Sequence, residues 1–232
     1  MECKEYVKYL GVLIDSTLSW KHHIDYIVCK ISKTVGVIAN IRRFVPSDVL
    51  LKIYYSLIFP YTHYGIVAWG QAAETHMNKI LLLQKRVLRF IYGMEYRAHT
   101  IPLFISANIL PVNMLYLKTV AAEMHDVSSG ITPSKISNLF TQSQEIHSYN
   151  TRFSNAGNYH VNKSRLNQQL SSFSRLGPKV WNNFPRSLRS LPKRSFNKNV
   201  HALLLKLLKN ENKYDSKKNI VAGMTAGFME LK

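Results

Sequence analysis

Apolar residues in this chain recur mostly at spacings of three and four, a pattern that predicts helices over most of its length. Ile24, Ile27, Val28, Ile31, Val35 and Ile38 form the clearest stripe and predict one long helix from Trp20 to Phe44. At about 100° per residue, Tyr26, Lys30, Lys33 and Asn40 fall on the opposite face of that helix. Cys29 lies near the stripe and reads as a buried, inert thiol. Pro46-Ser47-Asp48 caps a second helix, from about 48 to 59, which Pro60 is expected to end. A short apolar element follows from Tyr61 to Trp69, with Gly70 as its stop. In the helix predicted from Glu74 to Tyr92, Met77, Ile80, Leu81, Gln84, Val87, Leu88 and Ile91 share a face. Gly93 is its natural stop. Segments near 101–107 and 112–127 read as two more helices separated by Pro111, and Ser195 to Lys209 as the last. The strand signal is confined to residues 6–15, which are β-branched and aromatic and end in an Asp-Ser turn.

Composition changes the picture through charge. The 232 residues carry 31 Lys and Arg against 13 Asp and Glu, a net charge of +18. That imbalance points to a polyanionic partner. From Ile146 to Asn210 there are twelve Lys or Arg and no Asp or Glu, interleaved with Tyr149, Phe153, Tyr159, Phe173, Trp181, Phe184 and Phe196. Cations in such a stretch suit a phosphate backbone, and aromatic faces can stack on unpaired bases. Trp181 and Phe184 read instead as the core of a small module. Lys79, Lys85, Arg86 and Arg89 lie along one helix and read either as a row of phosphate contacts or as a solvated face opposite a core stripe. Ser128-Ser129-Gly130 with Pro133 marks a linker, and the tail after Asn210 is polar and then glycine-rich.

Other function classes lack their residues. The aspartates Asp15, Asp25, Asp48, Asp126 and Asp215 are nowhere adjacent, so no paired-carboxylate site for two metals is visible. There is no phosphate-binding glycine loop, no His-Glu-x-x-His and no nucleophile elbow. His22 and His23, side by side on a helix, point about 100° apart and read as ordinary helix-start histidines. Two cysteines, Cys3 and Cys29, are too few for a disulfide framework or a structural zinc site and fit a reducing compartment. No apolar run approaches a membrane span.

Several motifs taken in order resemble a known family. Tyr9-Leu10-Gly11-Val12-Leu13-Ile14-Asp15, then Leu18-Ser19-Trp20 and His23-Ile24, resembles the segment just after the palm in reverse transcriptases of non-LTR retrotransposons, of the jockey/CR1-like LINE group. Ile53-Tyr54-Tyr55-Ser56-Leu57-Ile58 with Pro60, Tyr64-Gly65 and Trp69, and then Leu83-Gln84-Lys85-Arg86-Val87-Leu88-Arg89-Phe90-Ile91, resemble the helices that follow. His147-Ser148-Tyr149-Asn150-Thr151-Arg152 and Gly177-Pro178-Lys179-Val180-Trp181-Asn182-Asn183-Phe184-Pro185 are similar to motifs near the end of such polyproteins.

The resemblance implies a mainly α chain. Residues 1–19 would be an end-of-palm β element, 20–130 a thumb-like helical bundle, 131–210 a basic C-terminal module of mixed or irregular structure, and 211–232 a flexible tail. It implies a fragment or remnant of an RNA-directed DNA polymerase whose catalytic aspartates, and the Mg2+ they hold, belong to a palm that lies before this chain. No catalytic residue, metal ligand or cofactor is then expected here. Tyr9, Leu10 and Gly11 would resemble a primer grip. Lys30, Lys33, Lys79, Lys85, Arg86, Arg89, Arg152, Arg175, Lys179, Arg186 and Arg189 would bind nucleic acid through its phosphates, without sequence preference. The implied partners are RNA, an RNA–DNA hybrid or DNA, and the missing palm and fingers, with no membrane and an intracellular setting in nucleus or cytoplasm. The family's Cys-Cys-His-Cys knuckle has no counterpart here. A non-catalytic or domesticated interaction protein, a decayed reading frame, and an enzyme with an unrecognised site are the alternatives.

Overall fold

The computed structural model describes residues 5–146, 157–162 and 172–210. The protein is mainly α, with one two-stranded antiparallel sheet near its start. It forms two compact units, Met1–Tyr116 and Leu117–Lys232.

The first unit opens with a hairpin. Strand β1 (Tyr6–Tyr9) pairs with β2 (Val12–Asp15), Tyr9 opposite Val12 and Tyr6 opposite Asp15. The single strand expected over 6–15 is therefore folded in two. Leu10 and Gly11, at φ 45° and 83°, make a two-residue turn whose twist matches that of paired strands. Asp15 then organises the entry to helix α1 (Lys21–Ile41). Its carboxylate accepts hydrogen bonds from Thr17 Oγ1 (2.7 Å), Ser19 N (2.8 Å), Ser19 Oγ (3.2 Å) and Trp20 N (2.9 Å). Burial alone would raise its pKa; the hydrogen bonds from Thr17, Ser19 and Trp20 outweigh burial and hold it below the ordinary carboxylate value. These bonds also fix Trp20 at φ 63°, a left-handed conformation costly for a bulky side chain.

Helix α1 buries Ile24, Ile27, Ile31, Val35 and Ile38 of the stripe its spacing predicts, and leaves Val28, at its edge, half-buried. Cys29 does not share that burial: it is exposed, because it falls about 160° around the helix from Ile31. Helices α2 (Ser47–Leu57), α3 (Phe59–His63) and α4 (Ile66–Trp69) follow. Pro60 does not simply stop a helix. It occupies the first turn of α3, where its missing N–H has no helical partner to lose.

Helix α5 (Glu74–Ile91) packs along α1 and buries Met77, Ile80, Leu81, Gln84, Val87, Leu88 and Ile91. Asp25 meets Lys79 near the two N-terminal ends, and Arg42 meets Phe90 near the two C-terminal ends, so the helices run parallel. Helix α6 (Ile101–Ser106) follows, and α7 (Val112–Ser128) begins in this unit. A buried polar chain ties three of these elements together. Gln84 Nε2 donates to Tyr54 Oη (3.0 Å), and Gln84 Oε1 accepts the Val112 N–H (2.8 Å), one of the donors that a helix start leaves orphaned. Gly70 closes α4 against the Tyr116 ring: a Cβ there would lie 2.4 Å from Tyr116 Cδ2 and 2.5 Å from the Ile66 carbonyl oxygen.

The second unit continues α7 and adds α8 (Ser134–Ser137), α9 (Ser143–Ile146), α10 (Phe173–Asn182), α11 (Arg186–Arg189) and α12 (Lys193–Asn210). Trp181 and Phe184 are core residues, as expected. Phe196 lies 6.0 Å from the Trp181 ring, 5.5 Å from Phe184 and 4.7 Å from His125. Gly177 lets α10 approach α7, since a Cβ would stand 2.6 Å from Met124 Sδ. Asn182 pairs with both backbone groups of Tyr159, accepting its N–H at 2.9 Å and donating to its carbonyl at 2.7 Å. The expected tail over 211–232 lies outside the described residues.

Candidate nucleic-acid interface

The basic residues of α5 do not form one row. Lys79 and Arg86 lie about 20° apart around the helix. Lys79, however, turns to α1 and pairs with Asp25 at 2.6 Å. Both partners of that pair are over two-fifths exposed, so it is worth at most about 1 kcal/mol and a phosphate can compete for the lysine. Arg86 is exposed and its guanidinium lies 5.5 Å from the centre of the Phe90 ring. Lys85 is half-buried and has no partner among the described residues. Arg89 donates from Nε to the Ala98 carbonyl (3.0 Å) and lies 6.0 Å from the Tyr96 ring.

On α1, Lys33 is exposed and has no partner among the described residues. Lys30 is half-buried, with its ammonium 5.5 Å over the ring of Tyr26. Arg42 and Arg43, which follow the last turn of this helix, are not among the basic residues that the sequence pattern singles out. Their signal was the adjacent pair itself, just before Pro46. The Arg42 guanidinium lies 4.7 Å from the Phe90 ring, so Phe90 carries two arginines from different helices. Arg42, Arg43 and Ser47 from the α1–α2 junction face Phe90, Tyr92 and Glu95 from the end of α5 across a cleft of about 540 Å3.

Tyr9 and Leu10 sit exposed at the hairpin tip beside Gly11, and the Leu10 carbonyl accepts from Tyr64 Oη at 2.7 Å. The hairpin is pinned from beneath as well: Leu13 N–H donates to His23 Nδ1 (3.3 Å), and the His23 ring meets Trp69 edge-on at 5.8 Å. Burial holds the His23 pKa down to about 4, so the imidazole stays neutral.

In the second unit the expected residues divide. Arg189 is committed to its own fold. It donates to the carbonyls of Phe184 (2.7 Å), Asn182 (3.0 Å) and Gly157 (3.3 Å) and to Asn158 Oδ1 (2.9 Å), and it lies 5.4 Å from the Trp181 ring. Burial, and then the Arg186 charge, lower its pKa to about 10. Arg186 is exposed and Lys179 half-buried. Arg175 has Nε and Nη1 enclosed without a hydrogen-bond partner among the described residues. Arg152 lies outside the described residues.

Among the described residues no three His, Cys, Asp or Glu side chains come together as metal ligands, and no helix is long and apolar enough to cross a membrane.

Comparison with known proteins gives these observations a setting. The chain is 36% identical over 97 residues, 40% of its length, to the RNA-directed DNA polymerase from mobile element jockey of Drosophila funebris. It is 34% identical over 97 residues to the jockey polymerase of Drosophila melanogaster. It is 32% identical over 93 residues to a probable RNA-directed DNA polymerase from transposon X-element of Drosophila melanogaster. The matches cover 10% of each of these relatives, so the chain spans a small part of their length. No family model matches the chain. No solved structure matches it. Over about 40% of its length, this chain carries a region related to the RNA-directed DNA polymerases of non-LTR retrotransposons.

Proposed function

We propose that this chain is a non-catalytic segment of a non-LTR retrotransposon RNA-directed DNA polymerase, a fragment or remnant without the palm, that binds nucleic acid through phosphates. One observation carries the reading. In a chain of net charge +18, Lys33, Arg43, Lys85 and Arg86 have no acidic partner among the described residues of the first unit. Unneutralised cations on or beside rigid helices are the arrangement that a polyanion strand rewards, whatever its sequence. The relatives are named as polymerases directed by RNA that make DNA, so the fitting strand is template, primer or their hybrid. No residue here is assigned to the Mg2+ of such an enzyme.

The test is binding of the full chain to labelled RNA, DNA and RNA–DNA hybrid of scrambled sequence, followed by fluorescence anisotropy. All sequences should bind alike, and K33E/K85E/R86E should weaken all of them together. Binding confined to one sequence, or no binding at all, overturns the reading. Primer extension by the chain with template, nucleotides and Mg2+ overturns its non-catalytic part.

The exposed apolar side chains of the hairpin, Val7, Tyr9 and Leu10, favour a second reading in which that face docks a protein partner, the polymerase palm in particular. A palm domain supplied in trans should protect the hairpin amides from hydrogen exchange; unchanged exchange removes that reading.

A further inference from the structure

We infer that the cleft between the C-terminal ends of α1 and α5 grips the sugar–phosphate backbone of a nucleic-acid strand, with Arg42 and Arg43 as the phosphate ligands. This rests on the nucleic-acid reading above and names the place where it acts. A guanidinium laid on an aromatic face is held in orientation while its N–H edge stays open for a bidentate contact. Arg42 and Arg86 are both held in this way by Phe90, at 4.7 Å and 5.5 Å. Neither side chain, nor that of Arg43, has a hydrogen-bond or ionic partner among the described residues.

The cations lining the cleft, Arg42 and Arg43, outnumber its one acid, Glu95. Asp48 pairs with Lys52 at 3.8 Å, and Glu95, exposed on the far wall, forms no ion pair among the described residues. The cleft, at about 540 Å3, is within the usual range of ligand sites. Its rim is exposed at Arg43, Gly93 and Met94, so a strand can enter and leave. Val45 and Tyr92 supply an apolar surface for ribose or base.

The experiment measures affinity of the full chain for a labelled 12-nucleotide oligouridylate, with inorganic pyrophosphate as competitor. Arg42→Lys keeps the charge but loses the fork and the stacking, and Phe90→Leu removes the platform without touching charge. Each should weaken binding about tenfold, the value of one good bidentate contact, while Lys135→Arg, at an exposed position of the second unit, leaves it unchanged. Arg43→Glu, at an exposed position, should weaken it as well and keeps the test valid if Phe90→Leu does not fold. Wild-type binding that Arg42→Lys, Phe90→Leu and Arg43→Glu all leave unchanged overturns the cleft alone and spares nucleic-acid binding elsewhere. No wild-type binding overturns both. Pyrophosphate that binds in an Arg42-dependent way, with oligonucleotide affinity indifferent to Arg42, assigns the cleft to a small free anion and also overturns it.

Discussion

Replacing Gln84 by Leu removes the side chain that joins α2, α5 and the start of α7 while keeping a similar volume. Two buried groups then lose their partner: Tyr54 Oη, on a side chain with no exposed surface, and the Val112 N–H. An unsatisfied buried donor or acceptor costs about 1–3 kcal/mol, and the apolar Leu recovers part of that by its own burial. The expected loss is about 2–5 kcal/mol. Tyr54→Phe alone orphans only the Gln84 amide and should cost about 1–3 kcal/mol. In the Gln84→Leu background it should cost at least about 1 kcal/mol less, because the partner is already gone. Amide hydrogen exchange within α5 reads the opening free energy of this unit directly, without assuming that the two units unfold together. A Tyr54→Phe penalty identical in both backgrounds would refute the network.

Gly70→Ala drives a methyl group into the Tyr116 ring and the Ile66 carbonyl oxygen, and should destabilise the first unit by about 3 kcal/mol, read as a lowered melting temperature. His23 has its pKa lowered from 6.5 to about 4, so the unfolded chain binds the extra proton between those values. Its contribution to stability is complete above pH 6.5 and is lost as pH falls toward 4, at no more than about 1.4 kcal/mol per unit. His23→Gln, which still accepts the Leu13 N–H, should flatten this part of a stability-against-pH profile. Arg189→Ala should destabilise the second unit by about 2–4 kcal/mol in urea unfolding, and Arg189→Lys should restore little of it. One ammonium cannot reach the separate carbonyls of Asn182, Phe184 and Gly157 that the guanidinium spans.

The helical framework was legible because α1 and α5 each bury one stripe, and a one-sided stripe writes itself into spacing. Gln84 was placed on the core face by the same rule, although its partners Tyr54 and Val112 are distant in sequence and invisible to periodicity. Helix α7 is legible from its apolar content, though from Val112 to Leu117 it is buried at every position and has no exposed face to mark a period. Residue types alone read 6–15 as one strand, because Leu10, the first turn residue, is not a type that announces positive φ; the turn at Tyr9-Leu10-Gly11 comes only from the family resemblance. Gly177 and Pro178 lie inside α10, where the missing Cβ of Gly177 is what allows contact with Met124.

The candidate interface was harder to read than the fold. Composition marks a charge but not its partner. Arg189 and Lys79 looked equivalent to Arg86 in sequence, yet one is spent on backbone carbonyls and another on Asp25. Arg42 and Arg43 gained their interest only when the chain brought Phe90 and Arg86 to the same place, more than forty positions later.

The most direct test of the central claim is the affinity of the full chain for a nucleic-acid duplex of arbitrary sequence, measured across a range of salt concentrations. Six engaged phosphates predict a log–log slope of about −5 on duplex DNA. An affinity that does not change with salt would contradict binding through phosphates.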